Sequence, residues 1–449
     1  MPIDRRDFLR GVVGASGAVV AGSFAGDDLK ASETEIAAAS TLPKPAESGI
    51  DHVVVVMMEN RSFDHLLGWL PGARGKQAGL KYKDSAGVAH PTYRLTSFTG
   101  CGHPDPDHSY AGGRDECDGG KMDGWLRTTT NDIYCIGYYE EADLPFFSAL
   151  ARNFTTLDYF FPSILGPTFP NRVFSHAAQT DRLDNSVSLS TLPTIWDSLA
   201  QAGVTHRYYY SNVPFLAMWG TKYISISALF AQFLVDAATG QLPAVSFVDP
   251  AYTLIDAGEG NDDHPHADLR AGEAFLGQVY RAVTGGPGWA NTVLIITRDE
   301  WGGFFDHVVP PRVIAPNNLD TDLVNGKALL GARVPVVIAS PFTVGNPASP
   351  SINGLLYDHT SVLKLIEWRW NIPALTARDK SAQIHNLASA LDFASPDYSV
   401  PSLPVIAPPV PSPCGEGGIL DGGPLGQTDS YKLLQSPRMK GWTLPAGLP

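Results

Sequence analysis

The sequence has little positive charge, few charged residues overall and no long apolar run. Its 449 residues contain 32 Lys and Arg against 46 Asp and Glu, a formal net charge of −14 at pH 7. This acidic balance argues against nucleic acid as a partner. A hydrophobic share of 44% allows a large buried core, which excludes wholesale disorder. Because no segment beyond the N-terminus offers about 18 uninterrupted apolar residues, we predict no transmembrane segment in the mature protein.

Cysteine is scarce as well. Cys101, Cys117 and Cys135 fall in one loop-rich stretch, and Cys414 is far from them in the chain. A CxxC pair, the common spacing for thiolate metal ligands, is absent. An even set of four permits disulfides in an oxidising compartment, and free structural thiols are the alternative.

The first 25 residues form a targeting segment. Arg5 and Arg6 precede a mildly apolar stretch that ends in small residues around Ala25. This pattern resembles a twin-arginine export signal, and an ordinary amphipathic N-terminus is the alternative. We therefore predict export by the twin-arginine machinery to the medium, the periplasm or the cell wall, with residues 26–48 as a linker.

Strand and helix patterns alternate through the body of the chain. The apolar run at residues 53–58 is typical of a strand buried on both faces, and similar runs follow at 244–248, 293–297 and 334–339. Helical patterns occupy residues 144–151, 195–202, 269–283 and 360–370. This alternation predicts an α/β fold with a central, mostly parallel sheet and helices on both faces.

Two further segments complete the predicted organisation. Residues 82–131 are rich in Gly, Asp, His and Cys without periodicity, which indicates a long functional loop. Residues 399–449 are Pro-rich and then Gly-rich, which is typical of a surface tail. The catalytic domain is accordingly assigned to residues 49–398.

Oxygen ligands follow two of the predicted strands. Glu59 and Asn60 come directly after the first, and Asp299 and Glu300 follow the strand at 293–297. Parallel sheets place functional groups at the carboxyl ends of their strands, so these side chains should meet. Together they would suit a divalent cation, although each pair alone could be a helix cap or a surface carboxylate.

The segment GPTFPNR, from Gly166 to Arg172, supplies a hydroxyl group. Thr168 stands just before a predicted helix at 171–178, whose N-terminus favours an anion such as phosphate. Beside a metal ion, the Thr168 hydroxyl could act as a nucleophile on phosphorus. A plain N-cap threonine is the alternative.

Histidines concentrate in loops beside Asp and Pro. They would protonate a leaving group, bind phosphoryl oxygens or ligate a second metal ion, whereas a lone His is usually structural. The residues concerned are His103, His108, His264, His266, His307 and His359.

Seven segments in order resemble the bacterial phosphoesterase family of non-haemolytic-type phospholipases C and the related acid phosphatases. They are VVVVMMENRSFDHLLG, PDPDHSY, GKMDG, GPTFPNR, DEWGGFFDHVVPP, RVPVVIASPF and YDHTSVLKLIE. The resemblance implies an alkaline-phosphatase-like α/β fold with long active-site loops. It further implies that one divalent metal ion, of Ca, Mg, Mn or Zn, is surrounded by Glu59, Asn60, Thr168, Asp299 and Glu300.

The same resemblance implies catalytic roles. Thr168 would be the nucleophile that forms a transient phospho-enzyme. The phosphatase branch carries Ser there, so a Thr looks more like the phospholipase C branch. His108, His264, His307 and His359 would surround the phosphoryl group, with Asn60, Asn171 and Arg172 as phosphate-binding residues.

The sequence departs from the family pattern in a few places. Trp301 stands where relatives often carry a smaller or more polar residue. Asp262 and the extra His266 have a spacing that would serve a second metal ion. A box for a choline ammonium could be built from Trp69, Trp125, Trp219 and Trp301, although core or loop packing is the simpler interpretation of most of these residues.

These observations favour a secreted, metal-dependent phosphodiesterase of phospholipase C type that acts on a phospholipid. A broad-specificity phosphatase acting on small phosphate monoesters is the first alternative. A catalytically silent binding protein with the same fold is the second.

Overall fold

The computed structural model describes residues 42–255, 260–411 and 428–448. The predicted export signal, most of the predicted linker and Cys414 lie outside these residues, and the predicted domain boundaries stay predictions. Cys117 and Cys135 are buried free thiols, whereas Cys101 is disulfide-bonded, so both interpretations of the cysteines apply within one chain. The described part of the chain contains no helix with the length and hydropathy of a membrane span.

An eight-stranded sheet forms the centre of the fold, in the order β8-β2-β7-β6-β1-β5-β3-β4. Only β7 runs antiparallel to its neighbours in this sheet. The strands are β1 (His52–Met58), β2 (Thr155–Leu157), β3 (His206–Tyr210), β4 (Ser227–Leu229), β5 (Val245–Val248), β6 (Thr292–Arg298), β7 (Val336–Ala339) and β8 (Ile352–Asn353).

Ten α-helices accompany the sheet in the described residues. They are α1 (Phe63–Leu67), α2 (Tyr110–Cys117), α3 (Pro145–Asn153), α4 (Thr168–Ala177), α5 (Ile195–Gln201), α6 (Phe230–Thr239), α7 (Leu269–Gly285), α8 (His359–Trp370), α9 (Ala377–Lys380) and α10 (Asp429–Leu434). Four two-stranded ribbons lie outside the sheet: Lys81–Lys83 with Ala89–Pro91, Tyr93–Arg94 with Gly137–Tyr138, Phe160–Phe161 with Tyr357–Asp358, and Arg312–Ile314 with Lys327–Leu329.

Strand β1 is apolar throughout because both of its faces are covered. Val54, Val56 and Met58 join the largest apolar cluster, together with residues of α3, α6 and α7. Alternate side chains of a strand point to opposite faces, so Val53 and Val55 lie on the other face. There the ring of Phe247, on neighbouring β5, packs 5.0 Å from His176 of α4 and 5.1 Å from Trp196 of α5.

The register of the two central strands brings their ends together. β1 and β6 are parallel and pair from His52 with Thr292 to Met58 with Arg298. The next residues are Glu59 and Asp299, and the Asp299 N–H donates to the Met58 carbonyl oxygen at 3.1 Å. The sheet therefore places the two predicted acidic pairs side by side.

The α/β prediction is confirmed, and the differences lie in short or exposed elements. Strands β2, β3, β4 and β8 were not predicted, because two to five residues give too little periodicity to recognise. The stretch at 82–131 was expected to be a loop, but it contains α2, nearly all of the ribbon of Lys81–Lys83 with Ala89–Pro91, and the strand Tyr93–Arg94 of a second ribbon. The strand at 334–339 is present as β7, although its antiparallel direction has no signal in its own residues.

A buried ion-pair group fastens α1 to the loops beside the sheet. Arg333 donates from Nη2 to Asp64 Oδ1 at 3.1 Å and from Nε to Asp306 Oδ1 at 3.0 Å. Its Nη1 donates to the Asp158 carbonyl oxygen at 2.8 Å. The side chains of Arg333, Asp64 and Asp306 are fully buried, so each carboxylate depends on this guanidinium for its charge balance.

We expect Arg333→Leu to lower the free energy of unfolding by about 3–5 kcal/mol, because two buried carboxylates lose their only cation of this group. Urea denaturation followed by circular dichroism measures the change. Arg127→Leu is the matched control, since Arg127 pairs with Asp118 and Asp123 at the surface and its loss should shift the transition far less. Equal shifts for the two variants would contradict this account of the ion-pair group.

Candidate active site

A polar cavity of about 220 Å³ lies at the carboxyl ends of β1 and β6. It is lined by Glu59, Asn60, Asp105, His108, Thr168, Phe169, Thr253, Asp262, His264, Thr428, Asp429, Ser430 and Lys432. A wider groove of about 700 Å³ adjoins it and shares Asp105, His108, Asp429 and Lys432 with it. The sequence motifs that follow β1 and precede α4 therefore converge on one enclosed space.

Arg172 of α4 organises a group of carboxylates beside this cavity. We call this group, Glu59, Asp249, Asp299 and the adjacent Glu300, the acidic floor. Its guanidinium donates to Glu59 Oε1 at 2.9 Å, to Asp299 Oδ2 at 3.0 Å and to Asp249 Oδ1 at 3.3 Å. It also donates to two carbonyl oxygens at the end of β1, each at 3.2 Å. Arg172 is 2% exposed and is not among the residues that line the cavity. It thus holds carboxylates in place, whereas the sequence predicted a phosphate-binding role.

The acidic floor retains protons more readily than ordinary carboxyl groups. Burial, together with the Asp299 carboxylate, raises the pKa of Glu59 to about 8. Burial raises the pKa of Asp299 to about 7 although Arg172 opposes it, and burial raises the pKa of Glu300 to about 7 against the effect of His108. One guanidinium therefore does not balance this group of carboxylates, and a further cation would stabilise their charged forms.

Three polar side-chain atoms of Asn60 and Glu300 lack hydrogen-bond partners in the described structure. Both amide atoms of Asn60 and the Oε1 atom of Glu300 are buried without a hydrogen bond. Buried polar atoms are nearly always paired, so unpaired ones need an explanation. Oxygen donors from Glu59, Asn60, Asp299 and Glu300 match the preference of a hard divalent cation. In chemical type these residues fit the metal ion that the sequence implied, but Glu59, Asp299 and Glu300 do not bring their ligand atoms within 4.8 Å of one another as Asp64, Asp306 and His307 do.

Thr168 is the first residue of α4 and faces the Glu59 carboxylate. Its Oγ1 donates to Glu59 Oε2 at 3.4 Å, and the residue is 5% exposed on the cavity wall. The N-cap residue of α4 is Pro167, so the Thr168 hydroxyl does not cap the helix. The hydroxyl is therefore available to a ligand in the cavity.

Two of the predicted histidines also line the cavity. His108 donates from Nδ1 to the Pro106 carbonyl oxygen at 2.7 Å, which leaves Nε2 3.9 Å from Glu300. Burial disfavours its protonation, but the Glu300 and Asp105 carboxylates raise the pKa of His108 to about 10. His264 lies 3.5 Å from Asp105, which raises the pKa of His264 despite burial. Both rings are suited to hold a proton near a bound anion.

His307 belongs to a different group. Its Nδ1 hydrogen-bonds to Asp64, and its backbone N–H donates to the same carboxylate at 2.9 Å. The ligand atoms of Asp64, Asp306 and His307 lie within 4.8 Å of one another, a group that could hold a metal ion. Arg333 already pairs with both carboxylates, however, so part of their charge is offset. The structure does not bring His307 to the cavity of Thr168.

His359 and Asn171 are likewise built into the scaffold. His359 is 1% exposed at the start of α8, where its Nε2 contacts the Arg298 carbonyl oxygen at 3.2 Å, and burial lowers its pKa to about 4. Asn171 donates to the carbonyl oxygens of Ile164, Gly166 and Pro167. Neither residue lines the cavity, and Asn171 instead fixes the loop that leads to Thr168.

The residues suggested for a second metal ion do not converge. Asp262 accepts from the Thr253 N–H at 2.6 Å and from the Thr253 hydroxyl at 2.9 Å, whereas the His266 ring contacts the His103 carbonyl oxygen at 3.0 Å. The four tryptophans are also absent from the cavity lining of the described residues. Three of them are buried in packing, which favours the core interpretation: Trp125, Trp219 and Trp301.

Sequence reasoning missed the residues that complete the cavity from the C-terminal segment. Thr428, Asp429, Ser430 and Lys432 line it, although they follow a Pro- and Gly-rich stretch without recognisable periodicity. Asn185 was missed too, because an isolated Asn in a loop carries no motif. Its Oδ1 accepts from the Phe169 N–H at 2.8 Å, directly after Thr168.

Comparison with known proteins identifies the family of this chain. Residues 50–373 match the model of the Phosphoesterase family. The chain belongs to the Phosphoesterase family. It is thus a phosphoric ester hydrolase, and the phosphoesterase resemblance of its motifs is confirmed.

Curated relatives cover most of the phosphoesterase chain. Non-specific phospholipase C6 of Arabidopsis thaliana is 31% identical, over 81% of this chain and 76% of the relative. Phospholipase C B of Mycobacterium tuberculosis is 31% identical, over 79% of this chain and 80% of the relative. Non-hemolytic phospholipase C of Burkholderia pseudomallei is 29% identical, over 89% of this chain and 67% of the relative.

Among solved structures, a protein of the alkaline phosphatase superfamily from Vibrio parahaemolyticus aligns with 80% of this chain and 78% of its own. The two are 10% identical with a TM-score of 0.39, a similarity too low to carry an argument about the site.

Arg172→Lys should lower kcat by about ten- to a hundredfold, because an ammonium cannot reach Glu59, Asp249 and Asp299 together and the carboxylates shift. The measurement is hydrolysis of a nitrophenyl phosphate ester beside a thermal melt. Arg207→Lys provides the control, since Arg207 makes one half-exposed ion pair with Asp236. Unchanged kcat in Arg172→Lys would show that this guanidinium does not position the site.

Proposed function

We propose that this phosphoesterase is a metal-dependent phosphodiesterase of phospholipase C type with Thr168 as its nucleophile. The observation that carries the proposal is the Thr168 hydroxyl, 3.4 Å from Glu59 in a cavity that also holds His108 and His264. The phospholipases C among its relatives support the substrate class. Export by the twin-arginine route, which rests on residues 1–25, is part of the same proposal.

The first step forms a covalent intermediate on the protein. The Thr168 Oγ atom gives up its proton towards Glu59 and bonds to phosphorus, while the bond from phosphorus to the alcohol oxygen breaks. The departing alcohol takes a proton from a histidinium of the cavity, His108 or His264. The second step reverses the roles: water loses a proton to that histidine and bonds to phosphorus, while the bond from phosphorus to Thr168 Oγ breaks and Oγ takes its proton back from Glu59.

A divalent metal ion held by Glu59, Asn60, Asp299 and Glu300 would supply charge for the phosphoryl oxygens and lower the pKa of the Thr168 hydroxyl. The protein's own residues do the positioning. Arg172 fixes two of those carboxylates, and Asn171 fixes the loop before Thr168. The Pro106 carbonyl oxygen holds the His108 ring so that its Nε2 remains the titrating atom.

The groove beside the cavity favours diesters over monoesters. The cavity of about 220 Å³ has room for a phosphoryl group and one small substituent, and the adjoining groove of about 700 Å³ leaves room for a second ester substituent. A broad-specificity phosphatase is the second candidate, because the enclosed polar cavity alone would serve a small monoester.

Thr168→Ala should reduce release of phosphocholine from phosphatidylcholine about a thousandfold or more, because it removes the hydroxyl that contacts Glu59. Thr168→Ser keeps a hydroxyl and should retain activity. The measurement is phosphorus release from phosphatidylcholine vesicles and, in parallel, from nitrophenyl phosphate. Full activity of Thr168→Ala would overturn the nucleophile, and hydrolysis confined to the monoester would favour the phosphatase.

Removal of divalent cations with a chelator should abolish hydrolysis, and one of Ca²⁺, Mg²⁺, Mn²⁺ or Zn²⁺ should restore it. Glu59→Gln and Asp299→Asn should each weaken binding of that cation at least about tenfold, as measured by isothermal titration calorimetry. Asp306→Asn tests the other acidic group. If only Asp306→Asn weakened binding, the cation would belong to the group of Asp64 and His307.

A further inference from the structure

Part of the cavity wall comes from a segment outside the family match. The match ends at residue 373, whereas Thr428, Asp429, Ser430 and Lys432 line the cavity. Asp429 and Lys432 line both the cavity and the groove, so they stand where the two meet. Any substrate with two ester substituents would pass this pair.

The segment is fastened to the body of the protein on both sides of α10. The Thr428 hydroxyl donates to the Thr253 carbonyl oxygen at 2.6 Å, and its N–H donates to the Leu254 carbonyl oxygen at 3.1 Å. Farther along, Trp442 is 8% exposed and its indole N–H donates to the Gly220 carbonyl oxygen at 3.0 Å. Side chains of α10 therefore have a fixed position at the cavity.

Asp429 binds the Lys432 ammonium and also Asn185, which in turn binds the start of α4, the helix of the proposed nucleophile. Its Oδ1 accepts from Lys432 Nζ at 2.7 Å, and its Oδ2 accepts from the Asn185 side-chain amide. The same Asn185 accepts from the Phe169 N–H beside Thr168. Lys432 is the one Lys or Arg that lines either the cavity or the groove in the described residues. Its charge is consequently offset at the place where a phosphate would enter.

Phosphate monoesters and diesters differ by one charge in this setting. A monoester is largely dianionic near neutral pH, since its second pKa is about 6, whereas a diester carries one negative charge. A free ammonium would attract the dianion more strongly, and a free carboxylate would repel it more strongly. An ammonium whose charge is offset gives the dianion no such advantage.

We infer that the Asp429–Lys432 pair of α10 selects diesters over monoesters by offsetting the only lysine charge at the mouth of the cavity. The inference rests on the proposed function and assigns a specificity role to a segment that the family match does not contain. Asp429 acts on the substrate through Lys432 and is a positioning residue, whereas Lys432 would meet the phosphate itself.

The test compares nitrophenyl phosphate with bis(nitrophenyl) phosphate, whose substituents carry no charge of their own. Asp429→Asn still accepts from Asn185 but frees the lysine charge, so the ratio of kcat/KM for monoester to that for diester should rise about three- to tenfold at low salt. Lys432→Gln should lower the same ratio by a similar factor. The double variant should return it close to the parent value, and added salt should shrink every shift.

A purely structural role would lower kcat/KM for both substrates together and leave their ratio unchanged. An unchanged ratio in both single variants would overturn the inference. Glu47→Gln is the matched control, since Lys44 and Glu47 form an exposed pair of the same spacing at 3.0 Å. Opposite shifts in the two variants would support the inference. If the parent protein with divalent cations hydrolysed neither ester, the proposed function itself would fall, and the inference with it.

Discussion

The site depends on one buried guanidinium. Arg172 lies behind the ends of β1 and β6 and binds three carboxylates as well as the last carbonyl oxygens of β1. Removing such a group from water costs several kcal/mol per ion unless every charge is paired. Because α4 carries both Arg172 and Thr168, the guanidinium that partly offsets the charge of the acidic floor lies on the same helix as the nucleophile hydroxyl. The helix and the floor therefore cannot move independently.

The convergence of Glu59 with Asp299 was predictable because it follows from general rules of sheet geometry. Two apolar runs predict neighbouring buried strands, and polar residues that follow them must then meet at one edge. The family resemblance added Thr168, His108 and His264, which the structure brings into the same cavity. Their metal-binding and catalytic roles stay predictions, since geometry places side chains but does not measure their chemistry.

What could not be predicted depends on contacts between distant segments. The motifs placed His307 and His359 with the phosphoryl group, yet one pairs with Asp64 and the other is enclosed at the start of α8. Nothing in the local sequence distinguishes a histidine that faces a cavity from one that fills a core. The same holds for Asp429, which reaches the site only because residues 428–448 pack back onto the body of the protein.

The charge balance of the site connects the proposed metal ion with the choice of substrate. Three carboxylates, those of Glu59, Asp249 and Asp299, share the Arg172 guanidinium, and the Glu300 carboxylate lies 3.9 Å from His108. A divalent cation would displace protons as it binds and bring the floor closer to balance. The floor would then offer little net positive charge to a dianion. At the entrance, Asp429 offsets the charge of Lys432. The floor and the entrance would therefore both disfavour a second negative charge on the substrate, because neither offers an uncompensated positive charge.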